Sequence, residues 1–442
     1  MNQHDTHSLS QRGTSGNKSI LRVDMNAYFE AIQNIYHPQH NPEGAFPLNV
    51  AENKLTWHLL SSKIQQITRS EDIPNWVAAY TSGKGDFRFR AAVAQFMTRF
   101  LTKCPIDPDR LACSAGAASV IEMTAFALCD AGDVAAFPAP AYPVYKQDIQ
   151  NIPQVERYDI ITHHYPMSIK NGFLLDIIHL EQTLAAIKDK GKTWRMLVLT
   201  HPDNPTGGIY THEQLLRITD WCLKHQIHLV VNEIYGLSLI NTQHPAIRED
   251  YDVTIPFVSF AQIMEQYQSD YLHLWYAFSK DFGVSGFRVG LVYSYNASFL
   301  KAYENLNYTH LVSNYAQWLL QRILEDDDFI QHYITENQRL LTESYISVVR
   351  MLKKLNIPYT PARGSLFVWL DLSSYLAANT QNAEDEFWLN CYTQTGILLT
   401  PGQGFGHTKK GLFRLVHTCF ATAELEVAMQ RLEQFILTFR KQ

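Results

Sequence analysis

The chain has 442 residues, a formal net charge of −6, 46% hydrophobic and 18% charged side chains, values that suit a globular protein large enough for two folding units. They give no basic footprint for nucleic acid and no lysine- or arginine-dense run for a membrane surface. The six cysteines, Cys104, Cys113, Cys129, Cys222, Cys391 and Cys419, show no CxxC spacing, which signals neither a metal site nor a disulfide framework and suits buried thiols in a reducing, cytoplasmic setting.

In chain order, residues 1–20 are polar and lack an apolar run, so they read as a flexible tail and not as a signal peptide or spanning helix. Residues 21–70 are expected to form the N-terminal part of a smaller domain, 71–310 a large domain and 311–442 the rest of the smaller one. Within the large domain Arg110–Ser114 reads as a strand, and Ala117–Cys129 as a helix stopped by Gly132. Val134–Phe137 follows as a short strand ended by Pro138, Pro140 and Pro143. Arg195–Thr200 is a further strand, after which Thr211 and Gln214 form a capping box opening a helix to Lys224. His228–Val231 then runs in as a strand. Strands alternating with helices predict an α/β fold with a mostly parallel central sheet, whose ligands sit beyond the carboxyl ends of the strands. Asn204, Asn232, Tyr235 and Lys280 all fall there. Past about Tyr303 the pattern changes to long helical stretches, then a strand Ser365–Leu370, a loop Thr400–Phe405, a strand Phe413–Val416 and a helix Ala423–Phe439, which suit a smaller α+β domain.

Five groups of residues carry candidate chemistry. Lys280 follows the aromatic run Tyr276-Ala277-Phe278, and Arg288 lies eight residues on. An amine in a desolvated pocket can form a Schiff base with a carbonyl cofactor, and a guanidinium fork can hold that cofactor's phosphate. Ser114-Ala115-Gly116-Ala117-Ala118-Ser119 joins a strand to a helix with side chains small enough for a phosphate to reach the backbone N–H groups, or simply small enough to pack. The proline turn at 138–143 fixes Tyr142, either against a planar ring or in the core. Asn204, in the turn Asn204-Pro205-Thr206-Gly207, and Tyr235 are both able to donate to one phenolate-like oxygen. Arg414, between Phe413 and Leu415, suits either a buried carboxylate anchor or a structural ion pair.

In this order and spacing these residues resemble the class I/II aminotransferases, fold type I enzymes dependent on pyridoxal 5′-phosphate, from Leu48-Asn49-Val50-Ala51-Glu52-Asn53 to the final helix. Ala51-Glu52-Asn53, Ser279-Lys280-Asp281, Gly286-Phe287-Arg288-Val289-Gly290 and Ala428-Met429-Gln430-Arg431-Leu432 are nearest to the 1-aminocyclopropane-1-carboxylate synthase branch. The resemblance implies that Lys280 carries the cofactor and shuttles the α-proton. It implies that Ser279, Arg288, Gly116, Ala117 and Ala118 hold the phosphate, and that Tyr142 stacks on the ring. Asn204 and Tyr235 would bond its phenolic oxygen, and Arg414 the substrate α-carboxylate. Tyr80 resembles the tyrosine that reaches the phosphate of the neighbouring subunit, which implies a homodimer with shared sites. Glu52, if near the cofactor, would favour a substrate with a cationic group.

Three positions depart from the family pattern. Asn232 stands in Asn232-Glu233-Ile234-Tyr235 where the family carries an aspartate that keeps the ring nitrogen protonated. Ala277 stands where many relatives place a serine, and the spacing of Tyr80 and Gly83 follows the general aminotransferases, not the synthase branch. The expected function is therefore an aminotransferase exchanging an amino acid and a keto acid. The alternatives are a synthase-like lyase or cyclising enzyme, and a weakly active cofactor-binding protein in which Asn232 is the defect.

Overall fold

The computed structural model describes residues 8–16, 23–162 and 175–439. The tail expected at 1–20 lies largely outside the described residues, apart from a short helix Gln11–Gly16. Seven strands form the main sheet: β1 (Leu111–Ser114), β2 (Val134–Ala139), β3 (Glu156–Ile161), β4 (Trp194–Thr200), β5 (His228–Asn232), β6 (Leu272–Ala277) and β7 (Gly290–Ser294). Their order across the sheet is β1-β7-β6-β5-β4-β2-β3. All neighbours are parallel except β7, which runs antiparallel to both β1 and β6. The continuous apolar runs of β4, β5 and β6 follow from this place: Leu197, Val198, Leu229, Val230 and Leu274 are buried, as central strands covered on both faces require.

The register positions the site. Thr200 pairs with Asn232, and Asn232 with Trp275, so β4 and β5 end level with one another while β6 runs two residues further, to Ala277. Gly290 pairs with both Ser114 and Ala277, which brings the end of β1 and the start of β7 to the same edge. A Cβ at Gly290 would meet the Gly116 carbonyl carbon at 2.6 Å, so this crossing needs glycine. Helix α1 (Ala117–Leu128) starts there, followed along the chain by α2 (Tyr145–Gln150) and α3 (His212–His225). The predicted capping box at Thr211 and Gln214 is present in both directions.

A second, antiparallel sheet contains β8 (Tyr359–Thr360), β9 (Phe367–Asp371), β10 (Thr400–Pro401) and β11 (Leu412–Val416), in the order β10-β11-β9-β8. The strand expected at Ser365–Leu370 starts two residues later because Ser365 adopts a left-handed φ of 70°, incompatible with an extended ladder. The long helix α4 (Asp327–Lys354) joins the two cores: Ile330, Tyr333 and Ile334 pack with the large sheet, whereas Leu341 to Leu352 pack with the small one. Helix α5 (Thr422–Phe439) lies on the small core. Residues 46–56 run between the layers, with Phe46 and Pro47 paired to Ile397 and Leu398 and Lys54 N–H donating to the Thr418 carbonyl. All six cysteines are buried free thiols. Among the described residues no helix is long and apolar enough to cross a membrane.

Candidate functional site

A cavity of about 520 Å³ opens at the carboxyl ends of β4–β6, between the two cores. Of the residues singled out from sequence, Ala117, Ala118, Tyr142, Asn204, Asn232, Tyr235, Ser279, Lys280, Arg288 and Arg414 line it. Gly116 stands just behind as the N-cap of α1. Tyr80 is 95% exposed and Glu52 is outside the lining, although its neighbour Ala51 belongs to it. A larger depression of about 810 Å³ beside Tyr392–Gly396 lacks comparable chemistry, because its Arg431 is bound to the Gly44, Thr395 and Pro42 carbonyls.

Lys280 sits on the single helical turn Phe278–Asp281 that follows β6. Its Nζ donates to the Ala51 carbonyl at 2.5 Å. Burial, and then the nearby Arg414 guanidinium, lower its pKa from the usual lysine value to about 8, with Glu52 acting in the opposite direction. The turn is fixed by the next residue. Asp281 accepts from Leu237 N–H at 3.0 Å, Ser238 Oγ at 2.6 Å and Tyr276 OH at 3.1 Å, which ties Lys280 to the loop after β5.

At the opposite side α1 points its N-terminus into the cavity with no side chain capping it. Gly116 has a φ of 92°, and a Cβ there would run into the Arg288 guanidinium. Arg288, itself left-handed at φ 56°, donates to the Ser285 carbonyl at 2.9 Å. Uncapped N–H groups, the positive end of a helix dipole and a guanidinium together form a cradle for a phosphate.

Between these ends lie Asn204, Tyr235 and Arg414. Arg414 Nη1 donates to Asn204 Oδ1 at 2.9 Å, which turns Asn204 Nδ2 toward the Tyr235 hydroxyl at 3.5 Å. Arg414 Nη2 donates to the Asn49 carbonyl at 2.6 Å, and the guanidinium lies 4.4 Å from the Phe367 ring centre. A guanidinium stays protonated at any ordinary pH, and its planar fork matches the geometry of a ligand carboxylate.

Several residues were not found from sequence. Tyr145 OH and Thr200 Oγ1 lie 2.9 Å apart, and Asn232 Nδ2 donates to the same Tyr145 hydroxyl at 2.9 Å. Asp148 also lines the cavity, and burial followed by the charge of Glu122 pushes its carboxyl up to about 7. The only local signal for Tyr145 and Asp148 is their place on α2, three and six residues beyond Tyr142. Glu52 Oε2 is 3.1 Å from Lys54 Nζ, so the carboxylate expected to attract a cationic substrate is already ion-paired.

The donor set fits pyridoxal 5′-phosphate: a depressed-pKa amine for its aldehyde, the α1–Arg288 cradle for its phosphate, and the Asn204–Tyr235 pair for its phenolic oxygen. Residues 46–432 match the family described as aminotransferase class I and II. The chain is 30% identical to a 1-aminocyclopropane-1-carboxylate synthase of Glycine max, over 92% of this chain and 83% of the relative. It is 29% identical to 1-aminocyclopropane-1-carboxylate synthase 7 of Arabidopsis thaliana, over 96% and 93%. Its fold is similar to that of the aspartate aminotransferase from Thermus thermophilus with maleate, with a TM-score of 0.77 over 97% of this chain and 99% of that one at 17% identity. The chain belongs to the class I and II aminotransferases, fold type I enzymes that use pyridoxal 5′-phosphate.

Proposed function

We propose that this protein is an aminotransferase that exchanges an α-amino acid and a keto acid, as a cytoplasmic homodimer. The observation that carries this reading is a lysine amine of lowered pKa in one cavity with the buried cation of Arg414. When bound, pyridoxal phosphate supplies an electron-withdrawing ring that takes up charge as the substrate's α-proton leaves.

Lys280 would hold the cofactor and then carry the α-proton at Nζ. An amine with a pKa of about 8 has a sizeable neutral fraction near neutrality, which a solvated lysine lacks. Arg414 would exchange its bond to the Asn49 carbonyl for the substrate α-carboxylate, and the anchor would orient the α-carbon toward Lys280. Tyr142 would flank the ring, while Ser279, Arg288 and the first N–H groups of α1 would hold the phosphate. Tyr80, exposed on its own protomer, would reach the site of a second copy.

The test is borohydride reduction of the cofactor-saturated protein, peptide mass spectrometry and a screen of amino donors. A pyridoxyl mass on Lys280 and a keto acid formed only with an acceptor present are expected. The absence of that adduct would overturn the reading. A second reading, elimination or cyclisation, is supported by the near full-length likeness to the synthases. It is distinguished by a product that forms without a keto-acid acceptor. A third, weak catalysis, draws on Asn232 and requires that Asn232→Asp sharply raise α-proton exchange.

A further inference from the structure

Pyridoxal phosphate's own connectivity decides which wall its ring nitrogen meets, an argument that rests on the reading above. The aldehyde carbon and the ring nitrogen are para to each other, and the phenolic oxygen and phosphate arm flank the aldehyde. With the aldehyde at Lys280, the oxygen at Asn204 and Tyr235 and the phosphate at α1, the ring nitrogen faces the remaining polar wall. That wall carries Thr200 and Asn232, paired in register at the ends of β4 and β5, with Tyr145 beside them and Gln147 and Asp148 further along α2.

The structure then fixes which end of the Asn232 amide is presented. Ile234 N–H donates to Asn232 Oδ1 at 3.2 Å, and a backbone N–H can only donate. Turning the amide over would set that N–H against an NH2 group, leaving a buried donor unsatisfied where Asn232 and Ile234 are each only 6% exposed. Nδ2 in its turn donates to Tyr145 OH, which shares a further hydrogen bond with Thr200 Oγ1. One of the two amide hydrogens is used in this way, and the second remains for the cavity.

We propose that Tyr145 and Thr200, acting with the Ile234 N–H, lock Asn232 as a hydrogen-bond donor, so that this protein holds its cofactor with the ring nitrogen unprotonated. Tyr145 is a positioning residue, acting on the ring through Asn232. A neutral ring withdraws less charge than a pyridinium. The site therefore favours steps in which Lys280 moves the proton promptly over steps that leave charge stored in the ring.

The test is nitrogen NMR of the holoenzyme reconstituted with pyridoxal phosphate isotopically labelled at the ring nitrogen. The wild type is expected to show the resonance of a hydrogen-bonded, unprotonated pyridine, on both sides of the Asp148 titration near pH 7. Asn232→Asp should move it to the pyridinium position. Tyr145→Phe keeps the ring that stacks on Phe137 at 4.7 Å, so the fold is retained. It should displace the resonance without protonating the nitrogen and weaken cofactor binding several-fold. A pyridinium resonance in the wild type would overturn the proposal, and a Tyr145→Phe protein with wild-type resonance and affinity would overturn the positioning role. Failure of borohydride to fix the cofactor on Lys280 would instead overturn the underlying reading, so the two failures are told apart.

Discussion

The Lys280 side of the cavity and the Asn232 side use opposite means to make a nitrogen less ready to carry a proton. At Lys280 burial acts first and the cations of Arg414 and Arg288 add to it, so that a group normally charged gives up its proton easily. At Asn232 no formal charge is used: an amide, a phenol and a threonine hydroxyl share hydrogen bonds. The acid next in sequence, Glu233, is turned away by strand alternation. It accepts from Ser259 Oγ at 2.7 Å and Phe260 N–H at 2.5 Å, and burial pushes its carboxyl up to about 8. One side is tuned by desolvation and like charge, the other by the direction of its donors.

Removing the charged side breaks the comparison most severely. Lys280→Ala deletes both the attachment point and the proton carrier, and turnover should fall by at least about 10²–10⁴-fold, the usual worth of a positioned acid–base group. Cofactor should still bind without a covalent link, because the cradle and the Asn232 wall remain; steady-state rates and equilibrium dialysis check the two halves. Arg414→Gln removes a charge-assisted carboxylate contact of about 1.5–3 kcal/mol, so kcat/KM for the amino acid should drop roughly 10–150-fold.

A pH titration sharpens the comparison without removing a side chain. The neutral amine is the form that attacks the cofactor aldehyde, and the Lys280 pKa is depressed to about 8. The rate at which apoprotein captures cofactor should therefore rise about tenfold per pH unit below that value and level off above it. Arg414→Gln, which deletes the strongest charge lowering this pKa, should move the inflection upward; stopped-flow absorbance reads it. On the Tyr145 side the group that titrates in this range is Asp148, whose carboxyl is pushed up to about 7, and Asp148→Asn should leave the inflection near 8 in place.

The parts of this site that were legible in the sequence are those encoded over a few residues. The apolar runs of β4 and β5, the capping box at Thr211, and the motif Gly286-Phe287-Arg288 each carry their structural meaning locally. The antiparallel β7 was not legible, because Gly290–Ser294 has the same apolar pattern as a parallel core strand. Nor was the Tyr145–Thr200–Asn232 network, whose members are joined only by the register of β4 on β5 and the seating of α2. Glu52 illustrates a third limit: its position by the cavity follows from the Ala51-Glu52-Asn53 motif, but its pairing with Lys54 depends on side-chain direction two residues away.

That pairing gives the smallest expected effect and bears most directly on which reaction is catalysed. The Lys54 and Glu52 side chains are 51% and 35% exposed, so their attraction is screened and worth about 0–1 kcal/mol. Its consequence for a ligand is nonetheless one of sign. With Lys54 present, the mouth near Lys280 carries almost no net charge at this point. With Lys54→Gln it carries one negative charge, which still acts on Lys280 through the cavity. The variant should therefore favour amino acids with a cationic side chain over neutral ones by about 2–5-fold in kcat/KM, mostly through KM. An unchanged ratio would mean that substrates do not sense Glu52, and the lyase reading would lose the carboxylate on which its preference for a cationic substrate depends.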